Sequence, residues 1–343
     1  MNPEISILIL THNQRCLLER CLDSVLNQII DVPHEIIVYD DRSNDGTMEF
    51  VKQLSCSEQV IQKKNLIELK YIYRSVDEKP EGVIGWNRLM AYKQARGKYF
   101  VNVDADDFLI GTDLYQKEYE MLEKHPECSM VQTRLLKLNE GEDKDKTSIG
   151  YPYSPKLEDG ALFSLEDVLR YELIGQHQTY MYRRRPKDDM VRLLGNSFDD
   201  YHITYYHLQF GPVVFLDIVG YVWVQYPTSS SHSPNNEERM ADYVSMLLSF
   251  ARLFENSRYL FLSSSVGKLR QKIKQVPCYP NLSDNRRKRW STSKVFMNRF
   301  YSEKHHSARS WAKYCIIRLL LFMIGYVKLN SKLWLVLLYR MMV

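Results

Sequence analysis

No apolar run in this chain of 343 residues reaches the roughly 20 residues that a bilayer-spanning helix needs. Pro3 and Glu4 lead directly into an apolar stretch without a basic n-region, so the reading expects neither a secretory leader nor an N-terminal anchor. The six cysteines form no C-x-x-C pair and have no histidine at zinc spacing, which points to reduced thiols in a cytosolic protein rather than a disulfide framework. No Gly-rich, lysine-bearing phosphate loop is present, which argues against a P-loop nucleotidyltransferase. Internal repeats are also missing.

What the chain does have is carboxylates behind strands. With 45% hydrophobic and 26% charged residues, it is globular and able to bury a core unaided. Ile5–Leu10 and Glu35–Tyr39 are apolar runs, each ending in a polar loop ahead of a helical pattern (Cys16–Gln28, then Met48–Leu54). Strand, loop and helix in alternation predict a parallel βαβ sheet. Leu66–Arg74 reads as a third strand, Trp86–Arg96 as a helix and Tyr99–Asp104 as a fourth strand. Further strands are expected at Cys128–Leu138, Tyr180–Arg185, Val213–Leu216 and Tyr221–Tyr226, with helices at Asp113–Lys124, Ser164–Tyr171, within Asn196–Gly211, and at Ala241–Asn256.

Three acidic groups fall at strand ends or a helix mouth: Asp40 with Asp41, Asp104-Ala105-Asp106-Asp107, and Asp199 with Asp200. Like charges in one crevice repel unless a cation or an acceptor proton compensates them, and ligands of open α/β sheets bind outside the carboxyl ends of strands. The pattern therefore suggests a site for Mg2+ or Mn2+ and a phosphorylated ligand. The alternative for Asp106 or Asp107 is an N-cap on a following helix. Arg183, Arg184 and Arg185 suit either a diphosphate or anionic acceptor contact or a solvated rim, and His232 is a lone histidine in a Ser-rich loop.

Charge is unevenly spread. From Asp284 onward, thirteen Lys or Arg face two acids, a net +11, so the chain's +4 leaves −7 for everything before. Tyr314–Val327 and Leu333–Val343 are apolar but short, each with an arginine, and fit helices lying in the headgroup plane or, alternatively, packed on the main domain. The run Arg286–Arg289 has only Trp290 beside it for stacking, so no nucleic-acid partner is expected.

Ile5–Asn13, the segment Val38–Thr47, and Ala95–Tyr99 leading into Val103–Asp107 resemble, in order and spacing, the N-terminal half of the family 2 glycosyltransferases. Weaker similarity runs through Phe198-Asp199-Asp200 to about Ser233. The resemblance implies an inverting, nucleotide-sugar enzyme of the GT-A fold, with a Rossmann-like, mostly parallel sheet flanked by helices. It implies a domain at 1–235 (nucleotide half about 1–110, acceptor half about 111–235), and the composition of the remainder, 236–343, predicts a helical basic extension with membrane-associating segments. Thr11, His12 and Asn13 would then border the nucleotide, with His12 where tyrosine is usual. Asp41, with Asp40, would bind the base. Asp104 would contact ribose, sugar or metal, and Asp106 the Mg2+ or Mn2+. Asp200 would be the general base, beside Asp199. The implied partners are a nucleotide sugar, UDP-linked by preference, and a saccharide or lipid-linked acceptor. The basic tail and its short apolar segments, outside the resemblance, point to an anionic membrane surface as a further partner and to a cytoplasmic location on the inner face of the plasma membrane. A GT-A-like module that binds a nucleotide sugar without catalysis is the competing reading.

Overall fold

Strand β1 (Ile5–Thr11) is the centre of the nucleotide half: it pairs in parallel with β2 (His34–Asp40) on one side and β4 (Tyr99–Asp104) on the other. Ile7 and Leu8, Ile36 and Ile37, and Phe100 and Val101 point to opposite faces and are all buried, as expected of strands covered on both faces. Strand β3 (Leu66–Tyr73) completes this half beside β2, again in parallel. The crossovers are α1 (Arg15–Leu26), α2 (Thr47–Ser55) with the short α3 (Glu58–Ile61), and α4 (Ile84–Gln94). Helix α1 sets Leu18, Leu22, Val25 and Leu26 against the sheet at helical spacing, each worth about 1.5–3 kcal/mol when removed from water.

This computed structural model describes residues 2–74, 84–139, 157–171, 175–185 and 200–226, with scattered positions from 246 to 264. The chain divides into two compact units, Met1–Ser229 and Ser230–Val343. In the second, Phe250 stacks on Phe254 and Phe261 at centroid distances of 5.6 and 5.3 Å. Residues 140–156, Asp199, the Ser-rich loop with His232 and the basic tail lie outside the described residues. Among the described residues, no helix is long and apolar enough to cross a membrane.

Beyond β4 the sheet becomes mixed. Strand β8 (Tyr180–Arg183) inserts antiparallel against β4, with Tyr99 opposite Arg183 and Val101 opposite Met181. Strand β6 (Met130–Asn139) runs antiparallel to β8 and parallel to β9 (Val213–Gln225), while the two-residue strands β5 (Phe108–Leu109) and β7 (Leu162–Phe163) pair antiparallel with β9. The order is β3-β2-β1-β4-β8-β6-β9-β5, with β7 also on β9. Helices α5 (Leu114–Lys124), α6 (Leu165–Tyr171) and α7 (Asp200–His207) belong to this half.

Strand β9 replaces the two strands expected from its sequence. The register against β6 slips between Gln132 and Leu135, which absorbs the polar Asp217 as a bulge capped by Arg134. At Gly220 a Cβ would lie 2.2 Å from Leu114 Cδ1, so the strand can pass α5 only without a side chain.

Candidate active site

The parallel register lines up the first acids. Leu10 pairs with Asp104 and Thr11 with Asp40, so the ends of β1, β2 and β4 share one carboxyl edge. Asn13 adopts a left-handed φ of 52°, which asparagine tolerates, and clasps the two loops there: its N–H donates to Ser43 Oγ (2.8 Å) and its Oδ1 accepts from Asn44 N (2.9 Å). His12 Nδ1 donates to the Asp41 carbonyl at 2.7 Å. Thr11 Oγ1 is buried and makes no hydrogen bond among the described residues.

The acids after β2 are both engaged. Asp40 Oδ1 accepts from Ser43 N (2.8 Å) and Oγ (2.6 Å), and Oδ2 from the Tyr71 hydroxyl (2.5 Å). Asp41 Oδ1 receives the buried Arg74 guanidinium at 2.6 Å and Oδ2 receives Asn87 Nδ2 at 2.8 Å. The pair is therefore held in a dense hydrogen-bond network.

After β4 the three acids are treated differently. Asp104 faces Arg88 Nη2 at 3.1 and 3.2 Å, with His177 Nε2 3.5 Å from Oδ2. Burial works against its ionisation, but Arg88 and His177 outweigh it and hold the carboxyl below the usual range. Asp107 is buried and clamped, Oδ1 accepting from Val224 N at 2.9 Å and Oδ2 from Gln178 Nε2. Burial, then Asp106 and Asp104, push its carboxyl well up. Among the described residues no other residue bonds or ion-pairs with the Asp106 side chain, and burial followed by the charge of Asp104 raises its carboxyl to about 6. No helix starts at either residue: Phe108 enters β5 and the next helix begins at Leu114, so the N-cap alternative fails.

Asp104 and Asp106 suit a hard divalent cation, since a half-buried carboxylate without a partner beside a second carboxylate is the donor set Mg2+ or Mn2+ prefers. The three acids do not themselves converge. Among the described residues, the one set with three ligand atoms within 4.8 Å is His125, Glu127 and Cys128, where the His125–Glu127 hydrogen bond (3.1 Å) already links two members. That set lies at the start of β6, the opposite edge of the sheet.

Helix α7 begins at Asp200. Its last residue, His207, packs on Phe100 (5.7 Å) and Tyr182 (4.8 Å), near the amino end of β4. The helix also lies beside the 3-10 turn His177–Thr179. The arginine cluster does not go there. Arg183 pairs with Tyr99 at the amino edge, where Arg183 and Arg184 donate to the carbonyls of Cys128, Leu122 and Gly97. The diphosphate alternative for these arginines is thus corrected, because β8 runs antiparallel and carries them away from the site.

Sequence reasoning missed Arg88, His177, Gln178 and Arg20. Arg20 Nη2 reaches the Asp106 carbonyl (3.3 Å) and the Tyr226 hydroxyl (3.1 Å), with its guanidinium 4.6 Å from the Phe108 ring centre. Only Arg88 carried a local signal, the Asn87-Arg88 pair in the helix before β4.

Comparison with known proteins completes the picture. The chain is 34% identical over 117 residues to the poly(ribitol-phosphate) beta-glucosyltransferase of Bacillus spizizenii, covering 34% of this chain and 17% of that protein. It is 31% identical over 122 residues to the GalNAc(5)-diNAcBac-PP-undecaprenol beta-1,3-glucosyltransferase of Campylobacter jejuni, covering 34% of this chain and 35% of the relative. The match therefore spans well under half of either relative's length. In structure, the chain resembles S. aureus TarS 1–349, solved in complex with UDP-GlcNAc, with a TM-score of 0.53 at 15% identity over 78% of this chain and 80% of that one, a likeness of fold. Residues 6–189, more than half of the chain, match the model of glycosyl transferase family 2, and with the GT-A-like sheet this establishes that the chain belongs to that family.

Proposed function

We propose that this chain is an inverting, metal-dependent glycosyltransferase that moves a sugar from a nucleoside-diphosphate donor, first of all a UDP-sugar, to a hydroxyl of a saccharide or lipid-linked acceptor. The work is bacterial cell-surface polysaccharide or glycolipid synthesis, a reading supported by the poly(ribitol-phosphate) and the PP-undecaprenol in the names of the Bacillus and Campylobacter relatives. The observation that carries the reading is the unequal treatment of three adjacent acids: Asp104 balanced by Arg88 and His177, Asp107 clamped, Asp106 without a partner among the described residues.

Thr11, His12, Asn13, Asp40 and Asp41 form the nucleotide pocket, the buried Thr11 Oγ1 offering one hydrogen bond to it. Asp106, with Asp104 beside it, would hold Mg2+ or Mn2+, which would supply positive charge to neutralise the departing diphosphate. Asp200, seconded by Asp199, takes the proton of the acceptor hydroxyl. That oxygen forms its bond to the anomeric carbon as the carbon–oxygen bond to the diphosphate breaks, and the configuration inverts. Residues 1–235 carry this chemistry, and the basic extension from 236 rests on anionic lipid at the inner face of the plasma membrane, each Lys or Arg near the surface adding about 1 kcal/mol.

The test is sugar transfer from a panel of UDP-sugars to lipid-linked saccharide, with Asp200→Asn alongside. The proposal expects a loss of about 100- to 10,000-fold in the variant with donor binding kept. Transfer that survives in Asp200→Asn would overturn the base assignment, and a wild-type chain that binds donor but never turns it over would establish the binding module. Truncation after about residue 281 is expected to release the protein from anionic vesicles, and unchanged partition would contradict the anchoring role.

A further inference from the structure

The turn Gln176–Thr179 is built to be rigid. Its three-residue 3-10 segment, His177–Thr179, is wholly buried, Thr179 N and Oγ1 both donate to the Gln176 carbonyl (2.9 and 2.7 Å), and Gly175 N donates to the Tyr180 hydroxyl (2.8 Å). A Cβ on Gly175 would lie 2.6 Å from both Gln132 Nε2 and Thr179 Oγ1, so the turn packs closely against these two side chains. From this seat two successive side chains reach two of the three acids: His177 toward Asp104, and Gln178 onto Asp107 Oδ2. The other Asp107 oxygen accepts from Val224 N in β9, so Asp107 ties the acidic loop to two separate pieces of the sheet's second half.

We infer that Gln178, acting through Asp107, is a positioning residue for the cation site. By occupying Asp107 from the turn while β9 occupies its other oxygen, it keeps Asp107 out of the cation's coordination and fixes the loop so that Asp106 presents its carboxylate to the crevice. The partner pattern supports this directly, since the one acid of the loop without a side-chain partner among the described residues lies between one facing Arg88 and His177 and another clamped by Gln178 and Val224. Outer partners of metal-binding carboxylates commonly change metal affinity by 10–100-fold when removed. The inference rests on the metal-dependent reading given above.

The test is Mn2+ binding to the full chain in the presence of UDP, followed by electron paramagnetic resonance, with thermal melting recorded in parallel. Gln178→Met keeps the side-chain length but has no donor, and is expected to weaken Mn2+ binding by about tenfold or more. The double variant Asp107→Asn with Gln178→Glu rebuilds the bond in the opposite sense: the Asn amide donates to the new carboxylate while its oxygen still accepts from Val224 N. It is expected to return affinity to within about threefold of wild type, as coupled partners do. Wild-type affinity in Gln178→Met, or lowered melting with Mn2+ affinity intact, overturns the inference alone, as does a double variant no tighter than the single. A wild-type chain that binds UDP without any Mn2+ dependence overturns the metal-dependent reading itself.

Discussion

The loops after β2 and after β4 look alike in sequence, each an apolar strand delivering adjacent aspartates, yet the protein completes one and leaves the other open. Asp40 and Asp41 spend their oxygens on Ser43, Tyr71, Arg74 and Asn87. In the second loop the cationic and amide partners go to Asp104 and Asp107 on either side, and Asp106 receives none among the described residues. Adjacent carboxylates thus do different jobs according to which neighbours reach them: a filled set holds a pocket's shape, and a set with one acid left over can hold a cation.

Removing acids one at a time breaks this contrast. Asp41→Ala strips the carboxylate from a fully buried guanidinium and is expected to cost about 3–5 kcal/mol of stability in urea unfolding. Asp106→Ala should do the reverse, leaving the melting temperature unchanged or slightly higher while donor turnover falls about 100- to 1,000-fold. Asp106→Asn sharpens the contrast through pH. The Asp106 carboxyl is raised to about 6 in the folded chain, above its unfolded value, so the wild type has its full stability from this group below about pH 4 and loses it as pH rises through 6. The variant should therefore melt like wild type at pH 4 and be more stable by on the order of 2 kcal/mol at pH 7.5, with Mn2+ absent. Smallest is Tyr71→Phe, which removes one hydroxyl from Asp40 and should cost about 1 kcal/mol.

The open loop was more legible in sequence than the partners that make it open. Asp104 and Asp106 follow a β-branched run, and the nucleotide half obeys the periodicity of parallel strands, so both could be read directly. Arg88 shares a short stretch with Asp104, but His177 and Gln178 come from a turn more than seventy positions later, brought in by an antiparallel strand. The same antiparallel insertion sent Arg183–Arg185 to the far edge, where sequence alone could not put them. Strand β9 joins the two strands that the sequence predicts at Val213–Leu216 and Tyr221–Tyr226, because a bulge accommodates Asp217 and Gly220 passes close to Leu114.

The central claim is that Asp106 belongs to a metal-assisted diphosphate site, and calorimetric titration of UDP into the wild type and Asp106→Ala, with and without Mn2+, addresses it most directly. Mn2+ is expected to tighten UDP binding at least tenfold in the wild type and not at all in the variant. Saturating UDP with Mn2+ should stabilise only the wild type, by about 2.7 kcal/mol at 100 times the dissociation constant. Equal UDP affinity with and without Mn2+ in the wild type, or a Mn2+ effect that survives in Asp106→Ala, would contradict it.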